Sequence, residues 1–355
     1  MKRICLRAAQ VALLSWTALA GAEVVPNLYQ ADVPVAEQSP AELRRAARAG
    51  LAEVLVRVSG QTDAERNPAL AAALAQAERY LEQYRYERNP APGEQPWLAR
   101  LNFAGDQSER LLRNAGLPVW GANRPSLLVV LAFDDGSGAR SLVSESGQPE
   151  LVAALQEQAR RRGLSLHFPP ADAAAQLPPD AIWQLDAGAA QPLLERYHAD
   201  SLLLGHLTQT DGHWAGAWSL TLGEQRSDAE AQGDSLPASL TPAFNKLADA
   251  LGAQYAVSAA GGAEGLLLRL NGIGNFDDYA RALAYLQQLG AVKAVSPLQI
   301  RGDEVILRLR VEGGAEQLSR QLALDSRLQP QPLDNATFGN QAIALQYRWA
   351  PPAAG

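Results

Sequence analysis

Beyond Ala22 the apolar residues of this chain switch repeatedly between two periods: stripes spaced like one face of a helix, and short runs or alternations of strand length. A chain patterned in this way is expected to fold as small mixed layers of helices and strands, in the α+β and α/β classes. At 355 residues it is too long for one ordinary domain, and its proline and glycine punctuation divides it into three.

The first module, an α+β domain, is expected over residues 23–116. Leu28 to Val35 alternates like a half-buried strand, after which Ser39-Pro40 offers a helix an N-cap and a first-turn proline. Leu43, Ala47, Leu51, Val54, Leu55 and Val58 form the apolar stripe of that helix, and Gly60 ends it. A second helix is predicted from Asn67-Pro68, with Leu70, Leu74, Ala77, Leu81 and Tyr84 on one face. After turn chemistry at Asn89 to Gly93, Trp97 to Phe103 reads as a strand, followed by a short helix ending at Asn114. The proline- and glycine-broken stretch from Gly116 to Pro125 marks the boundary.

The middle module, α/β, is expected over residues 124–258. Leu127 to Leu131 is a continuous apolar run suited to a strand buried on both faces. The helix Pro149 to Arg162 carries Glu150 at its positive end and Arg160, Arg161 and Arg162 at its negative end, which reads as a solvated, dipole-matched terminus stopped by Gly163. A strand at 164–168, a helix around 192–198 and a strand at 201–207 follow, giving a mostly parallel sheet. If Asp211-Gly212 is a two-residue hairpin turn, Trp214 faces Gln209, Gly216 faces Leu207 and Trp218 lies over Gly205. A helix from Thr241-Pro242 to Tyr255 closes the module. Residues 259–263 read as a flexible linker. The third module, 264–349, shows strands at 266–270, 292–300, 305–311 and 342–349 with helices at 276–289 and 315–323. That is the βαββαβ order of a ferredoxin-like fold. Residues 350–355 are expected to be a disordered tail.

Residues 1–22 have the form of a cleaved signal peptide: a basic start, an apolar run from Ala8 to Ala20, and small residues at Ala20 and Ala22 before Glu23. The run is shorter than the roughly 20 residues that span a bilayer, and nothing later approaches that length, so the mature chain is expected to be periplasmic with no transmembrane segment. Cleavage after Ala22 removes Lys2, Arg3, Arg7 and Cys5, leaving 28 basic against 38 acidic residues, a charge of −10, and no cysteine. Disulfides and cysteine-based metal sites are thereby excluded from a mature monomer, and nucleic acid is not an expected partner.

Catalytic patterns are absent. The four histidines show no metal-ligand spacing, and His206 and His213 would stand about 13 Å apart in the predicted hairpin. No nucleophile elbow occurs. Gly272-Ile273-Gly274 opens a helix as a dinucleotide fingerprint would, but Asp277 replaces the third glycine and places a carboxylate where pyrophosphate should sit. Asp134 to Gly138 lacks the ligand set of a calcium loop and reads as a solvated turn. No cofactor, metal or catalytic residue is therefore assigned. The residues least explained locally are Trp120 and Arg124. Functionally they suggest a ligand or partner site at the first domain junction. The preferred reading is structural, with Trp120 packing the junction and Arg124 capping carbonyls or pairing with an acid.

Leu28-Tyr29 through Val33-Pro34-Val35, Gln38-Ser39, Glu42 and Val54 to Gly60 resemble the opening of a proteobacterial exported family known as domain of unknown function 2066. Leu117 to Gly121 with Arg124-Pro125, Ala199 to Gly205, and Tyr255-Ala256-Val257 are similar to the same family. The resemblance implies an exported protein of Gram-negative bacteria with no assigned activity, and a middle module similar to the TolB amino-terminal type. The expected function is a non-catalytic, envelope-associated protein that binds a protein partner, its sheet edges accepting a partner strand. Alternatives are a small-ligand or glycan binder using a cleft near Trp120 and Arg124, and a hydrolase with a triad assembled from distant positions. Oligomeric state is open.

Overall fold

The computed structural model describes residues 23–90, 95–197, 199–258, 265–325, 327–334, 337–339 and 341–350. The expected signal peptide, the 259–263 linker and most of the expected tail lie outside these residues. Ala350 is described, and its N–H donates to Arg327 O at 2.8 Å. The protein is a mixed α/β structure of several small sheets with helices packed on them.

In the first module, strand β1 (Gln30–Val35) and helix α1 (Pro40–Ser59) form as the sequence predicts. Ser39 Oγ accepts the Glu42 N–H at 3.3 Å, and Gly60 turns the chain out at φ 73°, a conformation that favours glycine. The segment after Asn67 departs from expectation. It makes only short turns to Tyr80 and then becomes strand β2 (Leu81–Arg88), paired antiparallel with β3 (Trp97–Phe103). The i, i+3 spacing of Leu81 and Tyr84 mimics a helix. The second side of β3 needs a hydrogen-bonding partner, however, and that pairing overrides the local pattern. Sheet order is β1-β3-β2, and α1 covers one face. Ala46, Ala47 and Gly50 let the helix sit close, since a Cβ on Gly50 would stand 2.9 Å from Leu101 Cδ1. Helix α2 (Gly105–Asn114) completes the module.

In the middle module, β4 (Ser126–Asp134) pairs in parallel with β5 (Ser165–His167) and β6 (Ser201–Thr210). Strand β7 (His213–Leu222) returns antiparallel in the predicted register, with Trp214 opposite Gln209, Gly216 opposite Leu207 and Trp218 opposite Gly205. A third meander strand, β8 (Gln225–Gly233), was not expected from sequence, nor was the short antiparallel strand Arg140–Leu142, so the sheet is mixed rather than mostly parallel. Polar, alternating β8 carries too little apolar content to stand out as a strand. One sheet face packs against α3 (Pro149–Arg162) and α5 (Leu236–Tyr255), the other against short helices and α4 (Ala187–Tyr197). Helix α5 starts before the predicted Thr241-Pro242, because Ser235 caps it by accepting the Ala238 N–H, and Pro242 then lies inside the helix without an N–H to give.

The third module holds β9 (Gly265–Asn271), α6 (Phe276–Gln288), β10 (Val292–Arg301), β11 (Glu304–Val311) and α7 (Gly314–Ala323). Strand β11 sits antiparallel between β9 and β10, as the ferredoxin-like order requires. The last turn of the chain differs. A short strand β12 (Leu328–Pro330) follows α7, and β13 (Leu345–Trp349) then inserts between it and β9, running parallel to β9. The sheet thus has five strands, ordered β10-β11-β9-β13-β12. Among the described residues no helix is long and apolar enough to cross a membrane.

The β6–β7 register rests on a bare backbone under an indole: a Cβ on Gly205 would lie 2.5 Å from Trp218 Cε3. Gly205→Ala is therefore expected to lower stability by about 1–3 kcal/mol in urea unfolding, through overpacking beneath a fully buried Trp218. A stability equal to wild type would show that this contact does not hold the register.

Candidate functional site

The C-termini of α1 and α3 converge at the junction of the first two modules. The last carbonyls of a helix have no partner inside it and carry its negative end, so two such ends in contact need donors and positive charge. Three arginines supply both. Arg124 gives all five of its N–H groups to main-chain carbonyls: Nε to Gly121 (3.0 Å), Nη1 to Arg162 (3.0 Å) and Gly163 (3.2 Å), and Nη2 to Arg57 (2.8 Å) and Trp120 (2.9 Å). Its guanidinium lies 4.0 Å from the Trp120 ring centroid. Arg57 takes Arg161 O from α3 and Leu28 O and Gln30 O from the first module, and pairs with Glu53. Arg162 binds Gly60 O, Thr62 Oγ1, Asn245 Oδ1 and the Asp249 carboxylate (2.7 Å).

Trp120 and Arg124 are both 0% exposed. They have no surface left with which to meet a ligand, and Arg124 has no unused donor. Burial pushes the Arg124 guanidinium well below the usual arginine range, and the charges of Arg57 and Arg162 push the same way. The five carbonyls oppose this, and arginine remains the cation. Arg162 corrects the reading of a solvated helix end: it is 4% exposed, while Arg160 and Arg161 beside it reach solvent. Sequence reasoning passed over Arg57 and Arg162 as junction residues. The available signal was an arginine in the final turn of two predicted helices, each followed by a stopping glycine.

The chain from Leu117 to Pro125 threads this junction. Trp120 N–H donates to Val58 O (2.6 Å), Val119 forms an antiparallel bridge with Val257, and Asn123 Nδ2 reaches Gln321 O in the third module (3.4 Å). All three modules are tied to one strap.

Clefts between the first and middle modules do exist, but neither is lined by Trp120 or Arg124: one of about 350 Å3 lies beside Leu28, Arg57 and Ser165, and the other is a larger groove. This groove, about 830 Å3, is lined by Asp32, Glu53, Thr62, Arg160, Arg161 and Asn245 among others. A neighbouring cavity of about 430 Å3 shares Ala49, Ala52 and Glu65 with it and adds Arg45, Arg48 and Arg66.

Sheet edges differ in how they are closed. Tyr29 O accepts the Phe103 N–H, so by alternation the outward main-chain groups of β1 are those of Gln30, Asp32 and Pro34. Arg57 takes Gln30 O, Arg45 takes Pro34 O (3.0 Å), and Pro34 has no N–H. Strand β10 carries Pro297 and two register shifts, and β2 is bulged at its start. Strand β8 has a longer unbroken edge than any of these: nine consecutive residues pair with β7 without a shift or a proline. Its two-residue loop at Gly223-Glu224 sets Leu222 and Gln225 as a hydrogen-bonded pair, so Arg226, Asp228, Glu230 and Gln232 turn their N–H and C=O outward. None of these eight groups has a partner among the described residues.

Other candidate chemistry is dispersed. No group of three or more His, Cys, Asp or Glu side chains could hold a metal among the described residues. Ser165 Oγ is 3.3 Å from His167 Nε2 on an exposed strand face, while Asp200 gives its carboxylate to the N–H and hydroxyl of Ser126. His206 donates from Nδ1 to Trp183 O (2.7 Å) and stacks on the Trp183 ring at 4.6 Å, with Arg140 on the ring as well (4.3 Å). His198 lies outside the described residues.

A family model described as domain of unknown function 8605 matches residues 22–121, the first module and the strap as far as Gly121. This corrects the resemblance to domain of unknown function 2066, which is a different family. The residues that suggested it serve local structure here: Ser39 caps α1 and Gly60 ends it. No curated protein matches the chain.

Removing the Arg124 side chain would strand five buried carbonyls at once. Arg124→Met is expected to cost about 3–5 kcal/mol in denaturant unfolding, and Arg124→Lys to recover little because an ammonium has three donors and no planar fork. Full stability of the lysine variant would refute the role given to the fork. At His206, burial lowers the folded-state value below the unfolded one despite the Trp183 hydrogen bond. The unfolded chain therefore takes the proton first, and stability present above about pH 7 declines as pH falls through about 6.5. Thermal melts across this range should show a shallower slope for His206→Gln; an unchanged slope would remove His206 as the cause.

Proposed function

We propose that the protein is an exported, non-catalytic binding protein of the periplasm that takes an extended segment of an envelope protein onto the free edge of β8. The unpaired main-chain groups of Arg226, Asp228, Glu230 and Gln232 carry this reading. Strand addition needs such a row, because alternate N–H and C=O groups supply affinity while the side chains between them select the partner. The treatment of two other edges supports it: β1 is blocked by arginines and a proline, and β10 by bulges and a proline, as proteins treat edges that must not pair. A leader of signal-peptide form is consistent with export.

The strap that joins the modules supports a role in presenting this edge from a fixed frame rather than from a mobile arm. Glu230→Pro removes one outward N–H without touching a ladder bond to β7, a substitution that edge strands tolerate. The expected outcome is unchanged thermal stability and loss of the envelope protein captured by the immobilised mature chain from envelope extract. Equal capture by the proline variant would reject the edge as the docking site. Failure of the wild-type chain to enrich any envelope component would reject partner binding itself.

A further inference from the structure

We infer that the groove between the first and middle modules, continuous with the arginine-lined cavity on α1, binds an extended acidic peptide segment. The chain is acidic overall, with 38 Asp and Glu against 31 Lys and Arg. Unpaired arginines in the cavity that adjoins the groove are therefore not an average property of its surface.

Most charges along the groove are already committed. Asp32 pairs with Arg100, Glu157 with Arg160, and Arg162 with Asp249; Arg45 holds Glu42. Arg48 and Arg66 have no hydrogen-bond or ion-pair partner among the described residues, and Arg161 approaches Glu53 only to 3.9 Å. Of the acids along the lining, Glu65 alone has no partner among the described residues. Arg48 and Arg66 thus carry uncommitted positive charge, and Arg161 shares the single carboxylate of Glu53 with Arg57 and Arg160; Ala49 and Ala52, common to both cavities, present only small side chains there.

An anion in a concave site gains more from an arginine than one on a flat surface, because the walls reduce screening and the guanidinium fork matches a carboxylate. Separation of the free arginines calls for a ligand with several negative groups along its length. The remaining polar lining, Thr62, Gln158, Thr241 and Asn245, is held in place by hydrogen bonds within the protein, to Asp249, Arg162 and one another, so the groove presents a set polar wall rather than an apolar one. Among the described residues no tryptophan, tyrosine or phenylalanine lines either cavity, so they give sugar rings no stacking platform. This favours peptide over glycan. The site is distinct from the β8 edge, and its fate does not depend on that reading.

The test is fluorescence anisotropy with a labelled peptide of alternating glutamate and glycine, titrated with the mature chain at low and physiological salt. The expected result is saturable, salt-sensitive binding that falls about tenfold in Arg48→Glu and in Arg161→Glu. Arg79→Glu, an exposed arginine outside the groove lining, should leave it unchanged. Absence of binding, an equal loss in Arg79→Glu, or equal binding of a lysine-glycine peptide would overturn the site. Displacement of the peptide by polygalacturonate or inorganic phosphate at lower concentration than by unlabelled peptide would overturn the assignment to a peptide.

Discussion

The structure depends on one guanidinium placed between two helix ends. Helices α1 and α3 approach with their C-terminal carbonyls toward the same volume, an arrangement that unaided would leave unsatisfied acceptors and opposed negative ends in the interior. Arg124 answers both problems at once, since its five donors reach carbonyls from α1, from α3 and from its own strap. Its compensation is unusual for a buried cation: among the described residues the guanidinium has no carboxylate partner, and its charge is balanced by main-chain dipoles and the face of Trp120. Arg57 and Arg162 extend the same solution outward, each combining helix-end carbonyls with one acid, Glu53 and Asp249 respectively.

Because these contacts are main-chain contacts, they fix module position rather than merely side-chain packing. Gly60 and Gly252 meet so closely that a Cβ on either would collide with the other's backbone. The Trp120 ring stacks near-parallel to Tyr255 from α5, at 6.4 Å between centroids. The groove above inherits its walls from this joint: Glu53 and Thr62 belong to the first module, Arg160, Arg161 and Asn245 to the middle one. Saturating the arginine donors opposes rotation of one module against the other, and so holds the walls of the cleft in place.

The sheet edges follow a related logic. Edge carbonyls at Gln30 and Pro34 are satisfied by arginines that also serve the junction or α1, so closing the β1 edge and building the joint use the same side chains. Strand β8 stands on the far side of the middle sheet, out of reach of that system, and its edge stays regular and open.

Much of this architecture is legible in local sequence. Caps and stops such as Ser39, Gly60 and Gly163, and the Trp218 over Gly205 register, depend on neighbours in the chain or on a two-residue turn. The importance of Trp120 and Arg124 is visible too, as residues that no local element explains. Their burial is not visible, because which carbonyls face Arg124 depends on where two helices distant in sequence come to rest. The same limit hid β2, whose strand form is imposed by the free side of β3, and the insertion of β13 beside β9. It also hid the groove: Arg48, Arg66 and Arg161 are ordinary surface arginines in the sequence, and only the packing of the modules places them along one trough. Local sequence set most of the helices and strands and several of their ends, because those obey short-range sterics and hydrogen bonding. Tertiary structure alone decided which arginines became buried caps and which remained free, because that depends on the competition for carbonyls and carboxylates once the modules meet.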